Sequence, residues 1–247
     1  FYQVHPDHLG LYVELWLTLL NFGEEARVAL PGFSLDGKAR KTQRNTINRL
    51  ERDGYRFEIV QPAAVPELLP RLRIVSEAWL GGKTVREKGF SLGFYHEDYL
   101  RTGPVAIVHR DAEVIGFANL WSGGREELSV DLMRYPPGSP NGLMDYLFLQ
   151  IMLWGRDQGY AWFNLGMAPL AGLQNRNLAP LWNRFGALVF GRGETFYNFR
   201  GLHQYKGKFD PQWEARYLAA PGGLALPRVL ADLTTLIAGG LRGAIGK

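Results

Sequence analysis

The sequence predicts an α+β fold, because segments with a helical period and segments with strand character follow one another in mixed order. Residues 55–60 (YRFEIV) alternate between polar and apolar side chains, as a half-buried strand does, and residues 66–80 have a helical period. Residues 143–157 form a strongly apolar segment of helix length. Three short strand-like segments lie between the two helices, at 105–109, 114–120 and 127–133.

The residues before this core predict a helix, a strand and a second helix. Leucines recur at helical spacing over residues 7–21, and Gly23 follows as a stop signal. Residues 24–30 have the character of a short strand. A long basic helix then runs to Asp53, with Ser34 or Asp36 as its N-terminal cap.

The residues after the third strand predict a rigid turn and further mixed elements. Residues 135–142 (YPPGSPNG) are rich in proline and glycine, which indicates a structured loop. The segments beyond residue 158 are predicted as a strand at 160–165, a helix at 176–185, strands near 188–190 and 215–218, and a helix-like segment at 224–247.

Composition excludes several classes of protein. The 247 residues contain no cysteine, which excludes disulfides, cysteine zinc sites, iron–sulfur clusters and cysteine nucleophiles. The five histidines form no metal-ligand pattern, and no phosphate-binding P-loop or G-x-S-x-G nucleophile is present, so the sequence predicts neither a metal nor a cofactor. No stretch reaches the ~18 apolar residues of a membrane-spanning helix. The start at Phe1, without an initiator Met, indicates a piece of a longer chain.

Positive charge is concentrated in two zones, although the whole chain is only +4. Residues 38–56 carry seven basic and two acidic side chains, and residues 200–247 carry seven basic and three acidic ones. The remainder of the chain is therefore net acidic. Two separate basic zones indicate contact with a polyanion or an anionic surface, although solvated helix faces have the same composition.

The order of elements from residue 55 to 220 matches the acyl-CoA N-acyltransferase (GNAT-like) fold. We therefore expect residues 55–223 to be a GNAT-like subdomain, residues 1–54 to be the C-terminal part of a truncated first copy in a tandem arrangement, and residues 224–247 to be an amphipathic C-terminal helix. Acetyltransferases of this fold bind the pyrophosphate of coenzyme A on a glycine loop. Here Arg134 to Gly142 has wrongly spaced glycines and three prolines that remove amide donors, so coenzyme A is not expected.

Several motifs resemble one known family. They lie at 129–145 (SVDLMRYPPGSPNGLMD), 163–170 (FNLGMAPL), 76–82 (SEAWLGG), 87–93 (EKGFSLG) and 198–209 (NFRGLHQYKGKF). Together they resemble the catalytic part of the MprF-type aminoacyl-phosphatidylglycerol synthases, alanyl or lysyl. That resemblance implies a tandem GNAT-like domain that follows an integral-membrane flippase in the full-length chain.

The resemblance also implies a reaction and its partners. The family transfers an aminoacyl group from aminoacyl-tRNA to a glycerol hydroxyl of phosphatidylglycerol at the cytoplasmic face of the bacterial cell membrane. The product alters the surface charge of the membrane and resistance to cationic antimicrobials. Because no acidic cluster is visible that would bind a lysine ammonium, the sequence slightly favours alanyl over lysyl transfer. A peptide or peptidoglycan aminoacyl transferase of the same fold, or a non-catalytic module that binds RNA or anionic membrane, is the alternative.

Three side chains are the predicted catalytic residues. Asp131 and Arg134 lie at the end of the third strand, where they could orient the attacking hydroxyl or an ammonium and bind a phosphate; as a structural alternative they form an ion pair. Lys206 lies in a motif that the resemblance assigns to the catalytic cleft. The alternative is a solvated surface lysine, which is how most single lysines occur in proteins. The predicted substrate-binding residues are Asn164, Gly166, Glu87, Lys88, Tyr135 and His203.

Two helices are predicted to contact the larger partners. Lys38, Lys41, Arg44 and Arg52 of the basic helix are candidates for tRNA phosphates, with a solvated helix face as the alternative. The C-terminal helix has an apolar stripe with basic residues outside it, as an interfacial membrane helix does, but a helix packed on its own domain has the same pattern. The candidate membrane residues are Val229, Leu233, Leu236, Ile237 and Leu241.

Overall fold

A computed structural model describes residues 1–81, 93–169 and 194–237, and within these ranges all side chains except those of 194–200, 234 and 237. The chain divides into two compact units. The middle unit is Ala29–Phe163, and the terminal unit combines Phe1–Val28 with Asn164–Lys247. These bounds differ from the predicted division after residues 54 and 223, and the tandem arrangement stays a prediction.

The described elements follow the mixed order that the sequence predicts, so the α+β class is confirmed. In chain order they are α1 (Leu9–Glu14), β1 (Thr18–Ala29), α2 (Lys41–Arg52), β2 (Tyr55–Val60), α3 (Val65–Gly81), α4 (Glu97–Leu100), β3 (Val105–Arg110), β4 (Glu113–Gly123), β5 (Glu127–Arg134), α5 (Leu143–Asp157), β6 (Trp162–Pro169), α6 (Glu194–Gly207), β7 (Gln212–Ala220) and α7 (Ala225–Ile237).

The middle unit is built on four antiparallel strands in the order β2-β3-β4-β5. The buried face of α3 packs on one side of this sheet, where Leu72 joins Ile107 and Leu132 in a single apolar cluster. Residues that alternate with Ile107 along β3, such as Val108, are also buried, because α5 packs against β3 as well. Helices therefore cover both faces of the sheet.

A β-bulge interrupts the pairing of β4 with β5. Ala118 pairs with Met133 and Leu120 pairs with Val130, so Asn119 alone lies opposite two residues, Asp131 and Leu132. The extra residue shifts the alternation of side chains along β5. Leu128 packs toward α5, where its Cδ2 leaves no room for a side chain at Gly155. Leu132, in contrast, packs in the apolar cluster under α3. In a regular strand these two leucines, four residues apart, would lie on the same face.

The loop after β5 brings α5 close to α2. Gly142, which precedes α5, has φ of +79°, and a Cβ at this position would lie 2.8 Å from Thr46 Cγ2. The Arg49 guanidinium donates a hydrogen bond to the carbonyl of Asn141. Glycine is thus required at the start of α5 both by backbone conformation and by the close approach of the two helices.

The terminal unit contains the neighbouring strands β6, β1 and β7. β1 and β7 are antiparallel, in register from Thr18 opposite Ala220 to Arg27 opposite Gln212, with an irregularity beside Phe22. Phe22 is buried with side chains of β7 and α7 in one apolar cluster. No helix within the described ranges is long and apolar enough to span a membrane.

The predicted helix over residues 7–21 is wrong beyond its first turns. A short 3-10 turn leads into α1, which ends at Glu14, and Trp16 has φ of +59°, a conformation that no α-helix contains. From Thr18 onward the chain pairs with β7, so long-range strand pairing outweighs the helical spacing of the leucines. Leu11 and Leu15 are 61% and 60% exposed, because nothing in the described chain buries that stripe.

Two further elements differ from the prediction. The basic helix begins at Lys41, and Ser34 and Asp36 hydrogen bond to each other instead of capping it. The motif at 198–209, for which no helix was predicted, lies largely in α6. The predicted helix at 176–185 and the predicted strand near 188–190 lie outside the described residues.

The glycines of the loop after β5 allow a test of the packing between α2 and α5. Gly138→Ala and Gly142→Ala both force an L side chain into positive φ, but only the second also meets Thr46. We expect Gly138→Ala to lower the free energy of unfolding by about 1 kcal/mol and Gly142→Ala by about 1–3 kcal/mol more, measured by urea denaturation. Adding Thr46→Ser should restore part of the Gly142→Ala loss. Equal losses at both glycines would show that the contact has no energetic weight.

Candidate active site

The bulge in β5 brings Asp131 and Arg134 to the same face of the sheet. Residues three apart on a regular strand lie on opposite faces, but the extra residue at Asp131-Leu132 reverses this. A Cβ added to Gly93 would meet the Asp131 carboxylate Oδ2 at 2.6 Å and Leu132 Cβ at 3.0 Å, so both side chains lie on the face that Gly93 covers. Arg134 lies on this face too, beside α3.

The Asp131 carboxylate is held by Tyr99. The phenol of Tyr99, in the short helix α4, donates a hydrogen bond of 2.5 Å to Asp131 Oδ2. Burial and then this hydrogen bond raise the pKa of Tyr99 to about 12, so its phenol stays protonated at neutral pH. Gly93 lies so close to the same carboxylate oxygen of Asp131 that no larger residue fits at position 93.

Arg134 is almost fully buried, with 6% of its surface exposed. Its guanidinium lies over the ring of Trp79 in α3, 3.8 Å from the ring centroid, and one of its nitrogens donates to the carbonyl of Met133 at 3.0 Å. Stacking on Trp79 fixes the plane of the guanidinium and compensates for lost water. Asp131 and Arg134 thus have different described partners, Tyr99 for the carboxylate and Trp79 for the guanidinium.

A hollow of about 210 Å³ opens beside Tyr99. Its walls include the ring of Tyr99, the buried amide of Asn119 and the indole of Trp121, which is 54% exposed. The Tyr99 and Trp121 rings meet edge to face, with centroids 6.1 Å apart. Tyr135, the residue after Arg134, is 39% exposed.

Lys206 is the buried cation of the terminal unit. It is 7% exposed, and its ammonium donates to the carbonyls of Gly166 and Met167, both at 2.9 Å. These bonds use two of its three protons, and within the described ranges no acceptor lies against the third. Burial lowers the pKa of Lys206 to about 8, an effect that the nearby Glu25 carboxylate opposes.

Asn164 and Gly166 shape the strand to which Lys206 binds. Gly166 has φ of +79°, and its amide donates to Oδ1 of the buried Asn164 at 2.7 Å. The Asn164 side chain thus stabilises a local turn within β6 that presents successive carbonyls to Lys206. The structure gives both residues a positioning role for the lysine.

His203 lies one helical turn before Lys206 on α6 but contacts different partners. Its ring stacks on Trp213 with centroids 3.9 Å apart and planes 14° apart, and its Nε2 lies 3.6 Å from Glu24 Oε2. The side chain is 39% exposed. The structure therefore shows a histidine at the surface of the terminal unit that stacks on Trp213 and lies near Glu24.

The predicted site residues fall into three groups. Asp131, Arg134 and Tyr135 lie in the middle unit, and Asn164, Gly166, His203 and Lys206 lie in the terminal unit. Glu87 and Lys88 are outside the described residues. In the parts of the chain that the structure describes, no group of three or more acidic or histidine side chains could hold a metal ion.

The four predicted tRNA residues differ in their surroundings. Lys38, Lys41 and Arg52 are exposed on or near α2. Arg44 is half-buried and donates to the carbonyls of Leu35 and Gly37, the latter at 2.7 Å, so it stabilises the loop before the helix.

The predicted membrane helix packs on its own unit through part of its stripe. Leu233 is 6% exposed and Val229 packs against the same cluster, around Phe22 and Leu218. Leu236 is 54% exposed. The side chain of Ile237 and the whole of Leu241 are outside the described residues.

Sequence reasoning missed the residues that hold the catalytic candidates. Trp79 and Gly93 lie in the family motifs 76–82 and 87–93, but the sequence did not indicate a function for either residue. Tyr99 lies in none of these motifs, and only the fold brings it to Asp131.

The chain is similar to proteins of known family. Residues 1–220 match the family described as phosphatidylglycerol lysyltransferase, C-terminal. The phosphatidylglycerol lysyltransferase of Bacillus subtilis (strain 168) is 38% identical over 239 residues, which are 96% of this chain and 28% of that protein, and the one of Staphylococcus aureus (strain COL) is 37% identical over 220 residues. The chain thus spans about a quarter of the length of these curated relatives.

Two solved structures share its fold. The C-terminal domain of a proposed lysylphosphatidylglycerol synthetase from Agrobacterium fabrum is 41% identical with a TM-score of 0.84, over 98% of this chain and 74% of that one. The structure of L-PGS from Bacillus licheniformis is 38% identical with a TM-score of 0.80, over 96% and 72%. The predicted resemblance and the α+β class are confirmed, and the chain belongs to the phosphatidylglycerol lysyltransferase family, whose C-terminal model it matches.

Proposed function

We propose that this chain is the catalytic part of an enzyme that transfers an aminoacyl group from aminoacyl-tRNA to a glycerol hydroxyl of phosphatidylglycerol. The names of the relatives support the lipid acceptor. The observation that carries the proposal is the bulge in β5, which presents a carboxylate, Asp131, and a rigid guanidinium, Arg134, on one face of the sheet. A carboxylate that can accept a proton and a cation that can bind phosphate, on one face, suit a transesterification between a phospholipid and an RNA ester.

The reaction exchanges one ester for another. The lipid hydroxyl attacks the carbonyl carbon of the aminoacyl ester, the new carbon–oxygen bond forms, and the bond to the ribose oxygen of the tRNA breaks. The proton of the lipid hydroxyl finally resides on the released ribose hydroxyl. The Asp131 carboxylate is suited to accept a hydrogen bond from the attacking hydroxyl and to draw off its proton as the bond forms.

Arg134 is suited to bind a phosphate of either substrate. A guanidinium presents paired N–H groups that match phosphate oxygens, and it remains charged at every relevant pH. Because Trp79 already fixes its plane, little side-chain entropy is lost when a phosphate binds.

Lys206 is suited to stabilise negative charge. Two of its protons hold the carbonyls of β6, which fixes the nitrogen in place and leaves the third for an oxyanion or a phosphate. In a buried position that charge interacts more strongly than at the surface, at the cost of a lowered pKa.

The larger partners are proposed from charge and from the resemblance. Exposed Lys38, Lys41 and Arg52 would bind tRNA phosphates, and Leu236 on α7 would contact lipid. The full-length protein would include an integral-membrane flippase, act at the cytoplasmic face of the bacterial cell membrane and reduce its sensitivity to cationic antimicrobials. The names of the relatives favour lysine as the transferred amino acid, over the alanine that the sequence slightly favoured.

The decisive experiment offers the full-length protein lysyl-tRNA and alanyl-tRNA, each with phosphatidylglycerol vesicles, and identifies the lipid product by mass spectrometry. We expect lysyl-phosphatidylglycerol from the first mixture and little product from the second. Alanyl-phosphatidylglycerol alone would reverse the donor but keep the reaction. Transfer to a peptidoglycan peptide without transfer to lipid, or no transfer at all, would contradict the proposed function.

The charge of Lys206 predicts a pH dependence of transfer. Because the pKa is about 8, the ammonium is mostly charged below pH 8 and is lost above it, so the enzymatic rate should fall as the pH rises through about 8. Lys206→Met should lower the rate roughly 100- to 1,000-fold at neutral pH and remove this fall, whereas Lys208→Met, at an exposed neighbouring position, should leave both unchanged. A rate that instead rises through pH 8 would identify the neutral amine as a base.

The basic helix predicts a salt dependence of tRNA binding. Lys38→Gln combined with Lys41→Gln should weaken binding and reduce the slope of log K against log salt concentration by roughly 1.5–2, as expected for two lost phosphate contacts. Arg71→Gln, which neutralises an exposed cation on α3, is the matched control and should change neither quantity. An unchanged slope in the double variant would show that this face of α2 is merely solvated.

A further inference from the structure

We propose that Tyr99 is a positioning residue for the transfer reaction, which holds one oxygen of the Asp131 carboxylate so that the other is presented to the attacking hydroxyl. This inference rests on the proposed function, because it assigns Tyr99 a role only through Asp131. The hydrogen bond from the phenol to Oδ2 is its geometric basis.

The two carboxylate oxygens of Asp131 have different surroundings. Oδ2 accepts the hydrogen bond from Tyr99, and it is also the atom that a side chain at position 93 would strike, at 2.6 Å. Oδ1 accepts no hydrogen bond from any residue that the structure describes. A carboxylate fixed through one oxygen keeps its second oxygen and the associated lone pairs for a substrate proton.

Asn119 stabilises the bulge beside Tyr99. Its amide oxygen accepts a hydrogen bond of 2.7 Å from the backbone N–H of Leu132, the second residue of the bulge, and its side chain lines the same hollow as Tyr99. Asn119 is 4% exposed, so its hydrogen bond to Leu132 is shielded from water. A buried amide thus stabilises the bulge that turns Asp131 to this face, beside the phenol that holds the carboxylate.

The ring of Tyr99 is itself held firmly. Leu100, the next residue, is buried in the α3 cluster and anchors α4. Trp121 meets the ring edge to face, and the Thr102 hydroxyl donates to the backbone carbonyl of Tyr99 at 2.7 Å. A donor fixed on several sides can impose one orientation on the group that it binds.

The charge state of the phenol agrees with a donor role. Burial, followed by the hydrogen bond to Asp131, places the pKa of Tyr99 near 12, so the phenol is neutral throughout the physiological range. A neutral phenol donates its proton to the carboxylate and does not compete with Asp131 as a base. Tyr99 therefore orients the carboxylate without taking the substrate proton.

The test is a double-mutant cycle in the full-length protein with Tyr99→Phe, Asp131→Asn and the two combined. We expect Tyr99→Phe to lower kcat roughly 10- to 100-fold, the range of a hydrogen bond to a charged group, with KM for both substrates changed less than about twofold. Asp131→Asn should lower kcat further, and the double variant should be no slower than Asp131→Asn alone, because the phenol acts only through that carboxylate.

Tyr95→Phe is the matched control, since its hydroxyl donates to the carbonyl of Leu69 at 3.0 Å in the same unit without contacting Asp131. Tyr95→Phe should retain wild-type kcat, and the thermal unfolding midpoints of the two Phe variants should differ by no more than a few degrees. A second approach crowds the same oxygen: Gly93→Ala should lower kcat in the same way as Tyr99→Phe.

The outcomes separate this inference from the proposed function. Wild-type kcat in Tyr99→Phe, or losses that multiply in the double variant, would overturn the positioning role while the transfer reaction stands. Wild-type kcat in Asp131→Asn would instead remove Asp131 from the proposed site, and the positioning role with it.

Discussion

The arrangement of the middle unit depends on one extra residue in β5. Without the bulge opposite Asn119, strict alternation would separate Asp131 from Arg134 by the thickness of the sheet. With it, the strand changes the face of its side chains between Leu128 and Leu132, and both leucines still reach an apolar layer. The bulge leaves a backbone N–H without a strand partner, and the side chain of Asn119 accepts it. Because this N–H has a hydrogen-bond partner, the bulge can exist in the buried part of the sheet without an unsatisfied polar group.

Two buried cations are stabilised in different ways, and the difference affects their chemistry. Arg134 stacks on Trp79, and its guanidinium keeps its charge at any relevant pH. Lys206 lies against two backbone carbonyls, which solvate its ammonium only in part, so burial lowers its pKa to about 8. The permanent charge of Arg134 suits it to bind phosphate at any relevant pH. The charge of Lys206 is lost above about pH 8, so the lysine can stabilise negative charge only if the reaction works below that pH or uses both protonation states.

Much of the fold was predictable because its signals are local. β2 and α5 coincide with the predicted residues 55–60 and 143–157, since alternation and helical period act over a few residues. The failure at residues 7–21 has a different origin, because β1 pairs with β7 almost two hundred residues away. The bulge was equally inaccessible, since the register of β4 against β5 is a property of the pair and not of either strand.

The candidate site was predictable only in part, for the same reason. Asp131, Arg134 and Lys206 lie in recognisable motifs, whereas Tyr99 acquires its role from a contact 32 positions away in sequence. Whether Asp131 and Arg134 share a face of the sheet also required the structure.

The apolar stripe of α7 shows where periodicity stops being informative. A helix that packs on its domain and a helix that lies on a membrane need the same spacing of leucines. Val229 and Leu233 are used to cover Phe22 and Leu218, so they are not available to lipid while the unit is folded. Leu236 lies about one turn after Leu233 and remains half exposed. In the folded unit Leu236 is therefore the residue of this stripe that a membrane could contact, whereas Leu233 is already covered.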